Sequence, residues 1–330
     1  MIASRTPLRV SLFGGGSDYP EWFRRRAGAV LGFTIDKYIY ISALRLPAFV
    51  DYRYRLTYSK LEMEQGLADI QHPAVRAVLE REGFDEPLDI SVQADLPANA
   101  GLGSSSAFAV GFLNLVSALQ GIPRTRLELA RLAIELEQDV LAERVGIQDQ
   151  LHAAFGGLNR FDFREDDLSV SPIQISGAEL HALSRWMILV YTGSKRHASA
   201  TLKEQIESTA SHGLDDQLAQ MVGLVDEAQA VFERHRGDDL AIALAGLLST
   251  SWALKRELST NVSNGEIDAL YDRCLANGAV AGKLCGAGGG GFLLMVVPPD
   301  ARSSLVEELG GEKCVSFGIA QTGSDIRQHW

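Results

Sequence analysis

Pro97-Ala98-Asn99-Ala100-Gly101-Leu102-Gly103-Ser104-Ser105-Ser106 is the stretch on which the reading of this chain turns. Before it, Leu88, Ile90, Val92, Ala94 and Leu96 alternate with other residues up to Pro97, which suits a strand with one buried face. After it, residues 107–119 form a long apolar run. The order is strand, glycine turn, serines, helix. Glycines let a backbone approach an anion closely, and the following helix aims its free N–H groups at that anion. Serines at a helix start cap it, or reach a phosphate or a metal. An ordinary serine-capped helix satisfies Gly-Leu-Gly-Ser equally well, so context has to decide.

Working outward, Leu8, Val10 and Leu12 alternate and run into Gly14-Gly15-Gly16, and residues 35–42 and 52–58 read as further strands. A dinucleotide fingerprint fails here. Its sixth position is Tyr19 rather than glycine, although Asp36 lies 20 residues past Gly16. A phosphate loop of the Gly-Lys-Ser/Thr type is absent too. Residues 126–145 read as a helix, with Leu129, Leu132, Ala133, Leu136 and Val140 at spacings of three and four and Gly146 as its stop. The polar run 164–171 reads as a solvated loop and as a domain boundary. Residues 186–192 predict a strand, and 198–277 predict helices broken near Gly213, Gly237 and Gly265. A second glycine-rich loop, 286–291, precedes the apolar strand 292–297. The expectation is an α+β fold in two domains, 1–170 and 171–330.

Composition limits what such a chain can do. Of 330 residues, 46% are hydrophobic and 22% charged, which is globular composition with ample core material. A net charge of -11 argues against a broad nucleic-acid footprint. Cys274, Cys285 and Cys314 include no CxxC pair, so a zinc knuckle is unsupported and a reducing, cytoplasmic setting is expected. The N-terminus is interrupted by Arg5 and Arg9, unlike a signal peptide, and no apolar run is long enough for a membrane span. His152, His181 and His197 have no metal-ligand spacing and read as surface or hydrogen-bonded histidines.

The decisive stretch resembles the second motif of the GHMP small-molecule kinases, named for galactokinase, homoserine kinase, mevalonate kinase and phosphomevalonate kinase. Only Ser106 departs from Pro-x-x-x-Gly-Leu-Gly-Ser-Ser-Ala, by one oxygen atom. Pro7-Leu8-Arg9-Val10-Ser11-Leu12-Phe13-Gly14-Gly15-Gly16-Ser17-Asp18-Tyr19 is similar to the first motif of that family. Lys283-Leu284-Cys285-Gly286-Ala287-Gly288-Gly289-Gly290-Gly291 is similar to the third. All three occur in the family's order across almost the whole chain. The resemblance implies a two-domain α+β fold with ATP and substrate in the cleft between domains.

Carried over residue by residue, the resemblance makes Gly101, Leu102, Gly103, Ser104, Ser105 and Ser106 the ATP phosphate loop. Ser105 and Glu137 then hold Mg²⁺, and Gly286, Gly288, Gly289 and Gly290 form the third glycine-rich motif. Glu137 also adjoins the apolar stripe of its helix, where an unpaired carboxylate is costly and a metal ion would compensate it. A snorkelling or salt-bridged glutamate at the stripe's edge is the alternative there. Asp149 matches the catalytic aspartate of the galactokinase-like branch, with Arg9 as the cation beside it. From the bare sequence Asp149 is also a capping aspartate.

The galactokinase branch carries Gly-Glu-His where this chain has Gly14-Gly15-Gly16. The string through Trp22 resembles instead kinases of a sugar phosphate that act at the anomeric hydroxyl. In that reading Gly15, Gly16 and Asp18 face sugar hydroxyls, and Lys37 and Arg196 are the first candidates for the cation that meets the distal phosphate. Arg24-Arg25-Arg26 and Lys195 are weaker candidates, since a charge run is usually a solvated face. The expected partners are a sugar phosphate and ATP, not nucleic acid or membrane, with a homodimer left open. A kinase of an unphosphorylated sugar and a non-catalytic sugar or ATP sensor are the alternatives. Retention of Arg9, Ser105, Glu137 and Asp149 together argues against the sensor.

Overall fold

The computed structural model describes residues 1–47, 49–165, 167–193 and 199–328. Among the described residues the protein has an α+β architecture built on two sheets, one of eight strands and one of four. In the larger sheet the strand Ile2–Phe13 runs antiparallel to the long strand Gly28–Arg45, from Ile2 opposite Ala43 to Phe13 opposite Leu31. The register slips between Pro7 and Leu8, where proline has no N–H to give the ladder. On its other side Gly28–Arg45 is shared. Its first third pairs with Leu158–Phe163 and its last third with Leu88–Ala94. The helix Ser104–Gln120 lies across this sheet and is buried on nearly every side. That explains why its sequence reads as an unbroken apolar run rather than an amphipathic one.

The smaller sheet contains Cys314–Val315, Met187–Tyr191, Phe292–Val296 and Ala281–Leu284 in that order. Both of its faces are covered. Met187, Leu189, Phe292 and Leu294 pack into the main core, whereas Ile188, Val190, Leu293 and Met295 join a second cluster with Trp252 and Ile267. Continuous apolar strands are what a sheet buried on both faces requires. The helices expected across 198–277 are Ser199–Ala210, Asp215–Arg234, Gly237–Glu257 and Gly265–Ala276, broken near the glycines that the sequence indicates.

Three expectations are corrected. The polar run 164–171 is not simply a solvated loop: Leu168–Pro172 is a strand paired with Leu158–Phe163. A domain boundary at 170 therefore falls inside the larger sheet. That sheet also takes Asp325–Gln328 from the far end of the chain as a strand beside Ile2–Arg5. The helix over 126–145 ends early. Arg126–Glu135, started by a Thr125–Glu128 capping box, passes into a π-helical turn at Leu136–Val140 and then into loop. Gly146 is thus not a helix stop. His152 is buried, and among the described residues neither ring nitrogen has a hydrogen-bond partner. It packs edge-on against Phe161, and burial holds its pKa down to about 3. Among the described residues, no helix is long and apolar enough to cross a membrane.

Candidate active site

Arg9 sits mid-strand in Ile2–Phe13 and points into a cleft between the two sheets. Its guanidinium grips Asp149 with two bonds, Nε to Oδ1 at 2.7 Å and Nη2 to Oδ2 at 2.6 Å. Its remaining arm, Nη1, donates to the carbonyl of Gly101 at 2.6 Å. The fork geometry of arginine makes such a clamp possible. Burial opposes the charge on Arg9, and the Asp149 carboxylate outweighs it, so the guanidinium titrates above its ordinary value. Asp149 belongs to the first turn of the helix Gln148–Phe155, where a negative charge is favoured.

A second carboxylate faces the same cleft. Asp18 is buried, its Oδ1 accepting the Gly16 N–H at 3.0 Å and its Oδ2 the Gln148 N–H at 3.4 Å. Burial, and then the nearby Asp149, push its pKa up. The segment before Asp149 closes over Asp18 only because residue 146 is glycine. A Cβ there would stand 2.0 Å from Asp18 Oδ2. Gly15 and Gly16 also line the cleft, while Gly14 serves packing, with no room for a Cβ against the Ala29 carbonyl.

The phosphate-loop candidate divides between surfaces. Gly101, Gly103, Ser104 and Ser105 line the cleft, whereas Leu102 and Ser106 are buried beneath it. Gly103 adopts φ +73° at the start of the helix Ser104–Gln120. It is Ser106, not Ser105, whose hydroxyl donates to Glu137 Oε2, at 2.7 Å, and Gln150 donates to the same oxygen at 2.5 Å. Glu137 is only 2% exposed, and burial raises its pKa to about 7. Both hydrogen bonds fall on Oε2, which leaves Oε1 without a hydrogen-bond partner among the described residues.

From the smaller sheet, the loop after Ala281–Leu284 meets the phosphate loop backbone to backbone. A Cβ on Gly286 would lie 2.5 Å from Gly101 Cα, and one on Gly291 would lie 2.4 Å from the Ala100 carbonyl. Gly288 and Gly289 pack on Val262, whose carbonyl accepts the Gly289 N–H at 3.0 Å. Gly290 is buried in the same loop. Gly286 alone of the four third-motif candidates lines the cleft.

Lys37 does not join the site. Its ammonium pairs with Asp36 at 3.1 Å, away from the cleft lining. Arg25 and Arg26 are paired with Asp215, also outside the cleft. Arg196 and Lys195 lie outside the described residues. Two cations that sequence reading passed over, Lys255 and Lys283, do line the cleft. Lys283 stands at the head of the third motif string. Lys255 follows Leu248 and Trp252 on one helical face, so a lysine on an apolar stripe was the signal for it.

Glycine loops from both sheets, a helix N-terminus and a clamped carboxylate thus converge on one cleft, the arrangement of a small-molecule phosphotransferase. The chain belongs to the GHMP kinases, ATP-dependent enzymes with an alcohol group as acceptor, matching the N-terminal domain of the family over residues 69–157 and the C-terminal domain over 228–316. It is 30% identical to the D-glycero-alpha-D-manno-heptose 7-phosphate kinase of Campylobacter jejuni, over 94% of each chain. It is 25% identical to a Thermotoga petrophila galactokinase over 98% of this chain and 97% of that one. Among solved structures, a D-glycero-D-manno-heptose 1-phosphate kinase from Bacteroides thetaiotaomicron superposes with a TM-score of 0.81, at 21% identity and full coverage of both chains.

Proposed function

We propose that this GHMP sugar kinase transfers the γ-phosphoryl group of ATP to the anomeric hydroxyl of D-glycero-D-manno-heptose 7-phosphate. The product would be the 1,7-bisphosphate, on a route to nucleotide-activated heptose for surface polysaccharide. The observation that carries the chemistry is the Arg9–Asp149 clamp beside the phosphate loop. A sugar hydroxyl is a poor nucleophile until its proton is taken up, and Asp149 is the carboxylate at hand to accept it. Arg9 orients that carboxylate and ties it to Gly101. Asp18 and the N–H groups around it offer hydrogen bonds to the remaining sugar hydroxyls. The near full-length likeness to the Campylobacter jejuni enzyme supports the choice of sugar.

Mg²⁺ suits this donor set. It is typically bound through one or two carboxylates together with substrate phosphates, and Glu137 offers a free Oε1 beneath the phosphate loop. The ion would neutralise charge on the phosphates when bound. Glu137, with Ser106 or Ser105, would hold it.

The pKa of Glu137 gives a test that needs no substrate. A folded value near 7, above the ordinary 4.5, means that this group's contribution to stability is fully present below about pH 4.5 and is lost as pH rises through 7. Glu137→Gln keeps the acceptor for Ser106 and removes the titration. The variant should therefore be more stable than wild type at pH 8, by up to about 3 kcal/mol, with the gap closing towards pH 5. Urea midpoints at the two pH values measure it. Added Mg²⁺ should narrow the gap at pH 8, and a constant gap at both pH values would refute the assignment.

The substrate is tested by ADP release with Mg²⁺-ATP across D-glycero-D-manno-heptose 7-phosphate, mannose 6-phosphate, sedoheptulose 7-phosphate, mannose, galactose, fucose and N-acetylhexosamines. Turnover confined to the heptose phosphate is expected. The likeness to a galactokinase over nearly the whole chain favours a second reading, a 1-kinase of an unphosphorylated sugar. Turnover of a free sugar would select it. ATP binding without turnover of any sugar would turn the reading to a non-catalytic sensor.

A further inference from the structure

We propose that Lys255, with Lys283 behind it, is the seat for a phosphoryl group in the cleft. Lys255 comes from the helix Gly237–Glu257 and Lys283 from the strand Ala281–Leu284, and both side chains are buried. The Lys255 ammonium donates to the Leu284 carbonyl at 2.6 Å and to the Gly286 carbonyl. An ammonium has three donors, so one remains. Lys283 donates to the Leu12 carbonyl at 2.7 Å, with Ser251 Oγ at 3.5 Å.

Neither lysine has a carboxylate partner among the described residues, and the charge of the neighbouring Arg9 is already committed to Asp149. Two buried cations without counter-charge are costly unless an anion completes them. Burial, then Lys283, hold Lys255 well below the usual lysine range, and burial brings Lys283 down to about 8. A bound dianion would reverse both effects. Lysine meets phosphate as a point charge, and the loop that Lys255 holds through Gly286 is the one packed on Gly101.

Phosphoryl chemistry can reach this seat from two sources. One is the γ-phosphoryl group of ATP, across Gly286. The other is the phosphate already carried by the sugar, across Leu258, which lies one turn beyond Lys255 and faces Gly16. The seat rests on the phosphotransferase reading but not on which sugar is accepted.

The test is calorimetric titration of wild type, Lys255→Gln and Lys255→Met. The probes pair ADP with β,γ-imido-ATP, and mannose with mannose 6-phosphate and D-glycero-D-manno-heptose 7-phosphate. Lys255→Gln keeps a donor for the carbonyls while removing the charge, and circular dichroism confirms that each variant is folded. The expected result is a loss of about 10- to 100-fold in affinity for one phosphorylated probe, with its partner lacking that group unchanged. Loss confined to imido-ATP assigns the γ-phosphoryl group, and loss confined to the sugar phosphates assigns the distal one. Wild-type affinity for that probe should also fall as pH rises and the lysines lose their protons, and the Lys255 variants should show a smaller dependence. Unchanged affinities in folded variants, or equal losses for all probes, would overturn the seat alone. A wild-type protein that binds none of the probes would overturn the phosphotransferase reading with it.

Discussion

Asp149→Asn will slow turnover by about 10²- to 10⁴-fold, the usual contribution of a positioned general base. Asparagine preserves the outline of the side chain but cannot carry away the acceptor proton. The substitution also leaves the buried Arg9 without its counter-charge, and removing one partner of a buried pair destabilises by roughly 3–5 kcal/mol. Melting temperature and nucleotide affinity must therefore be measured beside the rate. A folded variant that still binds ATP while its kcat collapses is the expected outcome. Turnover within a few-fold of wild type would remove Asp149 from the chemistry.

Gly286→Ala should be nearly as damaging without replacing any charged residue. Gly286 has φ +68°, which costs a residue with a Cβ about 1–2 kcal/mol. The added carbon would also lie 2.5 Å from Gly101 Cα and 3.0 Å from its carbonyl oxygen. Both neighbours are backbone, so relief requires the two glycine loops to separate. Misplacement of this kind by about 1 Å can cost on the order of 10²-fold in rate. Steady-state kinetics should show a raised KM for ATP together with a fall in kcat of that size. Gly177→Ala is the control, since no atom lies within 4 Å of a Cβ there. Near-normal kinetics for Gly286→Ala would mean that the loops do not act as one unit.

What could be read from sequence was what local chemistry demands. Gly101, Gly103 and Gly286 require positive φ, and glycine supplies it most readily. That Arg9 and Asp149 stand side by side was implied only by the resemblance of their strings to the family's motifs, since the bare sequence left Asp149 open as a capping aspartate. What was lost depends on long-range packing. Gly146 looked like a helix stop, whereas its purpose is the close approach of Asp18, 128 positions earlier. Ser105 and Ser106 are indistinguishable as letters. Only the direction of the first helical turn decides which one meets Glu137. Lys37 sat in a suggestive string and went to Asp36, while Lys255, in no motif, turned inward.

The strand Asp325–Gln328 carries a consequence for synthesis. Its backbone pairs with Ile2–Arg5, Arg5 bonds Asp325 at 3.2 Å, and Thr6 reaches Ser324 at 2.9 Å. A nascent chain therefore leaves this edge of Ile2–Phe13 open until Asp325–Gln328, about 300 positions further on, has left the ribosome. Open strand edges recruit other chains. A stop codon placed just before Asp325, which removes this strand, should yield a product prone to edge-to-edge aggregation.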